Sequence, residues 1–136
     1  MTVFPDTNVW LSGIVFPGLC AELLARLFEG NHGTLTSELV KAEADEVLRR
    51  KFSRHAQALA NLNLLWQQAE CIRDAETPID DADARLVKAA GDASADAFVT
   101  GDRHILDCGT RGAMRVVSPR DAWVLLFAPF DSLILD

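Results

Sequence analysis

Four acidic residues stand where a carboxylate is costly to keep as plain solvated surface: Asp6, Glu43, Asp83 and Asp102. Asp6 directly follows the apolar run Thr2 to Pro5, and Asp102 lies two residues after Ala97-Phe98-Val99-Thr100. Both runs read as short strands. At about 100° per residue, Glu43 falls between Leu39 and Val47 on the apolar face of a predicted helix. Asp83 shares a helical face with Leu86, Val87 and Ala90. A carboxylate on a core-facing stripe must be hydrogen-bonded, paired or bound to metal. If the fold gathers the four, each pair about 5 Å apart repels by roughly 3 kcal/mol at an effective dielectric of 20. Hard divalent cations with a preference for oxygen ligands, Mg²⁺ or Mn²⁺, would remove that repulsion. Such ions activate water and stabilise the leaving oxygen of a phosphodiester.

Each residue also has a plainer reading. Either strand-end aspartate could simply cap the helix that follows it. Asp83 lies in a first helical turn, where acids complement the helix dipole. Glu43 could reach water from the edge of its stripe. Glu46 lies further toward the polar side and reads as surface. Asp80 and Asp81 compete with Asp83, whose facing toward Leu86, Val87 and Ala90 favours it. His32, His55 and His104 are scattered, and metal-assisted hydrolysis needs none of them; His104, beside Asp102, is the one nearest the candidate set.

The elements that must position these residues alternate between strand and helix. After Thr2 to Pro5, a helix is predicted over Thr7 to Val15, broken by Pro17-Gly18. Pro5 cannot donate to a ladder and must lie near the strand end. Cys20 to Glu29 forms a second helix ending at Gly30, followed by a strand over Gly33 to Thr36. Ser37 caps a helix running to about Phe52. His55 to Gln68 is another helix and Glu70 to Arg73 a strand. The helix after Pro78-Ile79-Asp80-Asp81 is predicted to end near Ala90, at Gly91. Ala97 to Thr100 and Met114 to Val117 are strands, and Pro119 opens a last helix with Ala122, Trp123, Leu125 and Leu126. This alternation predicts an α/β sandwich around a mostly parallel sheet, in one domain spanning residues 1–136. Ligands of such sheets sit beyond the carboxyl ends of the strands.

Composition narrows the function classes. Hydrophobic residues at 49% and charged residues at 24% are globular values, and no internal repeat is present. No leader is expected, and no apolar run reaches the roughly 18 residues of a membrane span. Cys20, Cys71 and Cys108 form no CxxC pair and are expected to be reduced, buried thiols of a cytoplasmic protein. A net charge of −7 opposes simple polyanion binding. Bound metal and a local basic cluster could still admit nucleic acid. Arg49, Arg50, Lys51 and Arg54 form such a cluster, or else a solvated helix end complementing the dipole.

The motifs carrying these acids resemble those of PIN-domain nucleases. Asp6-Thr-Asn-Val-Trp-Leu-Ser is similar to the family's opening motif, and Ser37-Glu-Leu followed by Glu43-Ala-Asp-Glu-Val-Leu-Arg-Arg-Lys-Phe to its second. Asp80-Asp-Ala-Asp83-Ala-Arg-Leu-Val-Lys resembles the third, and Ala95-Asp-Ala-Phe-Val-Thr-Gly-Asp102-Arg the fourth. The resemblance covers nearly the whole chain. It implies a three-layer α/β/α sandwich and a Mg²⁺- or Mn²⁺-dependent endoribonuclease with Asp6, Glu43, Asp83 and Asp102 as its acidic quartet. Asn8 and Thr100 would orient those ligands, and Arg49, Arg50, Lys51 and Arg103 are candidate RNA contacts. The Glu-Val-Leu-Arg-Arg-Lys-Phe segment resembles the toxin branch of toxin–antitoxin systems. That branch implies a cognate antitoxin partner and often a homodimer, for which the apolar Trp123 to Leu135 stretch is a candidate surface. Pro5 departs from the family's apolar strand residue and predicts a shortened first strand.

Three other readings compete. A haloacid-dehalogenase-like phosphatase wants a second aspartate two residues after the first, and position 8 is Asn. A receiver-like phosphoacceptor domain also places an aspartate at a strand end. A non-catalytic PIN scaffold would hold RNA or protein without cutting.

Overall fold

A computed structural model describes residues 1–30, 32–107 and 109–127. The sheet has five strands, β1 (Thr2–Pro5), β2 (Gly33–Ser37), β3 (Glu70–Ile72), β4 (Ala97–Val99) and β5 (Arg115–Val117), in the order β3-β2-β1-β4-β5. Every pairing is parallel. The helices are α1 (Thr7–Val15), α2 (Leu19–Glu29), α3 (Glu38–Lys51), α4 (Ala56–Gln68), α5 (Ala82–Asp92), α6 (Arg103–Leu106) and α7 (Pro119–Leu126).

Strand periodicity divides the core in two. Phe4, Leu35 and Phe98 point to one face, where they meet Trp10 of α1, Val40, Ala44 and Leu48 of α3, Leu62 of α4 and Leu86 of α5. The Phe4 and Phe98 rings stack with centroids 5.5 Å apart. Val3 and Val99 point to the other face, against Leu23 and Leu27 of α2 and Ala122 and Leu126 of α7. A sheet covered on both faces is the three-layer α/β/α architecture expected. Each large side chain sealed in these layers contributes about 1.5–3 kcal/mol. Gly13 lets α2 cross close to α1, since a Cβ there would stand 2.5 Å from the Leu24 side chain and 3.0 Å from the Cys20 carbonyl.

The chain leaves β1 toward β2 and β3, then returns to build β4 and β5 on the other side of β1. The crevice between the carboxyl ends of β1 and β4 is therefore a topological switch point. Pro5 does not shorten β1. Asp6 N–H donates to the Val99 carbonyl at 2.8 Å, so the N–H that proline lacks would face β2, beyond the last β1–β2 partners Val3 and Thr34. Two expectations change. α5 continues through Gly91 to Asp92, because its last turn closes with the Ala93 N–H on the Ala89 and Gly91 carbonyls. The short α6 was not anticipated from sequence; it is a single turn capped by Asp102. Cys20 and Cys71 are free, but Cys71 is exposed on the edge strand β3. Cys108 lies outside the described residues, as does the 128–136 part of the apolar C-terminal stretch. No single helix among the described residues is long and apolar enough to cross a membrane.

Candidate active site

Asp6 ends β1, and its side chain is only 3% exposed. Its carboxylate accepts the Thr7 N–H on Oδ1 at 2.7 Å, and the Thr100 hydroxyl at 2.7 Å and the Asn8 amide at 3.2 Å on Oδ2. Four lone-pair positions minus three hydrogen bonds still leave room for a further ligand. Burial raises the Asp6 pKa to about 6, against the lowering hydrogen bonds from Thr100 and Thr7, with the charges of Asp83 and Glu43 adding to the rise. Asp6 caps α1 as well, so the plain reading of this residue is also true.

The three residues after β1 divide the work of assembly. Asp6 supplies the buried carboxylate. Thr7 donates its hydroxyl to Glu43 Oε1 at 2.8 Å, tying the first turn of α1 to α3. Asn8 reaches both sides of the crevice, donating to Asp6 and accepting the Gly101 N–H at 3.3 Å. Thr100, fully buried at the end of β4, closes the circuit. Its hydroxyl donates to Asp6 and accepts the Asp102 N–H at 3.0 Å.

Glu43 is half-buried, one step round the helix from the fully packed row Val40, Ala44 and Leu48. The stripe is thus centred slightly away from the predicted Leu39–Val47 line, and Glu43 borders it. Burial raises its pKa, the Thr7 hydroxyl lowers it, Asp83 raises it, Arg85 lowers it and Asp74 raises it. Glu46 is exposed and ion-paired with Arg50 at 2.6 Å, as surface. Asp83 differs from expectation. α5 does bury Leu86, Val87 and Ala90, yet Asp83 is exposed, and no residue of the first turn is buried. Its carboxyl is still pushed up, first by partial desolvation and then by the charges of Asp102 and Asp81. Asp81 is occupied as the α5 cap, accepting the Ala84 N–H at 3.0 Å. Asp102 caps α6 through the His104 N–H at 2.8 Å.

The four acids therefore share one electrostatic neighbourhood: Asp6 with Glu43 and Asp83, Glu43 with Asp83, and Asp83 with Asp102. Among the described residues no three His, Cys, Asp or Glu side chains converge into a ready-made metal cage. The donor set nonetheless fits a hard divalent cation, being all carboxylate oxygen, with Asp6, Glu43 and Asp83 pushed up first by burial and further by neighbouring acidic charge.

Of the candidate RNA contacts, only Arg103 adjoins the carboxylates, as the first residue of α6. Arg49, Arg50 and Lys51 occupy the last turn of α3. They stand six to eight residues beyond Glu43, about 9–12 Å further along the helix. Sequence reasoning missed Thr7, Asp74 and Arg85. Asp74 follows β3 just as Asp6 and Asp102 follow their strands, so the same strand-end rule would have flagged it. Its Oδ2 accepts the Leu39 N–H at 3.1 Å. Arg85 donates to the Ala75 carbonyl at 2.8 Å, and nothing in its spacing announced that.

Comparison with known proteins bears on the family and the fold. Residues 2–104 match the family model described as the PIN domain. A chain from the crystal structure of VapBC2 from Rickettsia felis, bound to a DNA fragment from their promoter, superposes with a TM-score of 0.66. At 16% identity, the match covers 87% of this chain and 98% of that one. No curated protein sequence matches.

Proposed function

The chain belongs to the PIN-domain family, whose members are generally nucleases, and from that premise we propose that it is a divalent-metal-dependent endoribonuclease serving as the toxin of a toxin–antitoxin pair. One observation carries the reading. Four carboxylates on separate elements are electrostatically coupled at the β1–β4 switch point, around an Asp6 buried despite a pKa pushed up to about 6. Structural carboxylates gain nothing from such crowding, whereas a cation site requires it. The likeness in fold to a chain of VapBC2, whose crystal form holds DNA from their promoter, supports a partner protein of the antitoxin kind.

Asp6, Glu43, Asp83 and Asp102 would hold Mg²⁺ or Mn²⁺. Bound there, the ion supplies an acidified water and neutralises the leaving oxygen of the phosphodiester. The protein's own contribution is preorganisation. Thr7, Asn8 and Thr100 fix the Asp6 carboxylate in one orientation before substrate arrives. Thr7 fixes Glu43 in the same way. Both acids must be ionised to act as ligands or as a base, so activity rises through the pH range in which Asp6 loses its proton. Arg103, next to Asp102 in the chain, would meet a substrate phosphate.

The test is cleavage of single-stranded RNA in Mn²⁺ by the wild type and by Asp6→Asn. We expect cleavage by the first and none by the second at unchanged fold. Equal cleavage by the two would remove the carboxylate from the chemistry. Binding of RNA by a wild type that never cuts it would support a non-catalytic scaffold instead.

A further inference from the structure

This acidic chain carries 13 lysines and arginines, and only two of them are withdrawn from the surface. One is Lys41, ion-paired with Asp45 at 2.9 Å. The other is Arg85 of α5, half-buried and in no ion pair among the described residues; the pairs there are Lys41–Asp45 and Arg50–Glu46. Its Nε donates to the Ala75 carbonyl at 2.8 Å. A guanidinium drawn out of water loses hydration that one bond to a neutral carbonyl does not replace. What supports the charge of Arg85 is therefore a surrounding field and not a carboxylate in contact.

The residues that hold Arg85 show where that field comes from. Ala75 is buried and follows Asp74, whose Oδ2 accepts the Leu39 N–H of α3 at 3.1 Å. Two consecutive residues after β3 thus fasten α3 and α5 to the same stretch of chain. Glu43 lies one turn beyond Leu39 on the same face of α3, about 6 Å along the helix. The cation pinned at Ala75 and the acid tied to Thr7 are in this way brought to one side of the site. Burial is the largest influence on the Glu43 carboxyl and raises its pKa. Among the charges acting on it, Arg85 lowers it, against Asp83 and Asp74. Four carboxylates with no internal cation would repel one another more when empty and would grip an incoming ion more tightly.

We propose that Arg85 is the resident counter-cation of the acidic site: pinned to Ala75, it offsets part of the quartet's charge in the metal-free fold and opposes the divalent cation that binds there. It sets how tightly the ion is held and acts through Glu43, as a positioning residue. The proposal rests on the metal-dependent reading of the quartet and adds to it what tunes the affinity.

The test is Mn²⁺ binding by calorimetry at pH 7.5, above the Asp6 pKa of about 6, with melting followed in EDTA and in Mn²⁺. It compares wild type, Arg85→Gln and Arg85→Lys. Glutamine keeps a donor for the Ala75 carbonyl and removes the charge, whereas lysine keeps the charge. Arg85→Gln should bind Mn²⁺ several-fold more tightly than wild type, melt lower in EDTA and gain more on adding the ion. Arg85→Lys should restore the wild-type affinity. If the glutamine variant does not fold, Arg85→Met makes the same comparison with an uncharged stem. Mn²⁺ binding by the neutral variant equal to or weaker than that of wild type would overturn the counter-cation alone. So would tighter binding shared by Arg85→Lys, which would trace the effect to shape and not to charge. A wild type that binds no Mn²⁺, or binds it no better than Asp6→Asn does, would overturn the metal-site reading and the counter-cation together.

Discussion

Replacing Asp6 by Asn should make the protein more stable at neutral pH while silencing it. An acid whose folded pKa lies above its unfolded value binds its proton more tightly when folded. Its ionisation therefore opposes folding: stability is highest below the unfolded pKa and falls as pH rises toward the folded one. For Asp6 the two values are 3.8 and about 6. At 1.36 kcal/mol per unit, the ionised carboxylate costs the metal-free fold about 3 kcal/mol above pH 6. Asparagine imitates the protonated acid. Its Oδ1 can accept the Thr7 N–H and its amide can donate to Thr100 Oγ1, which keeps a lone pair beside the one taken by the Asp102 N–H, while the Asn8 amide loses its acceptor and takes up to about 1 kcal/mol from the gain. Chemical denaturation in EDTA should show Asp6→Asn about 2–3 kcal/mol more stable than wild type at pH 7.5. That corresponds to a melting temperature higher by roughly 5–10 °C. The advantage should shrink toward zero near pH 4. A variant less stable than wild type at pH 7.5, or a gap that does not narrow on acidification, would refute the idea that Asp6 is held charged against the preference of the fold. Stability surrendered at a site is the usual mark of function.

Three further outcomes follow from the same geometry. Thr100→Val should cost about 1–3 kcal/mol by leaving Asp6 Oδ2 and the Asp102 N–H short of a partner, and should lower cleavage. Thr100→Ser should restore both, read by denaturation and by rate. Mn²⁺ at about 100 times its dissociation constant should stabilise the wild type by about 2.7 kcal/mol, visible as a melting shift, and should leave Asp6→Asn unmoved. Glu46→Gln breaks only the exposed pair with Arg50 and should change neither melting temperature nor cleavage measurably.

The sequence carried the elements well where a local rule decides them. Ser37, Pro119 and the Pro17-Gly18 break set their helix ends by capping and by dihedral restriction, which neighbours in sequence suffice to impose. Gly91 misled because a glycine weakens a helix without ending it, and the backbone past it still closes its hydrogen bonds. The strand-end aspartates were legible because the topology puts every strand terminus of a parallel sheet on one edge. Asp74 obeys the same logic and was passed over only for lack of a motif around it. Thr7 could not be read, since its role is a contact with Glu43, 36 positions away. Helical phase placed Asp83 on the packed side and could not foretell that burial in α5 begins only at Leu86, which depends on tertiary neighbours rather than on the helix itself. The basic residues show the same limit. A run such as Arg49-Arg50-Lys51 stands out in sequence, whereas Arg85 comes to act on Glu43 only through packing of α5 against the chain that follows β3.

The central claim is that the four carboxylates carry out metal-dependent cleavage of RNA. Its most direct test is one time course on a single-stranded RNA oligonucleotide with purified wild type. EDTA is present at the start and Mn²⁺ is added in excess halfway, beside a DNA oligonucleotide of the same sequence. The wild type should be silent in EDTA, should cleave the RNA promptly on adding Mn²⁺, and should leave the DNA strand intact throughout. Cleavage that proceeds unaltered in EDTA, or an RNA still whole after Mn²⁺ is restored, would contradict it.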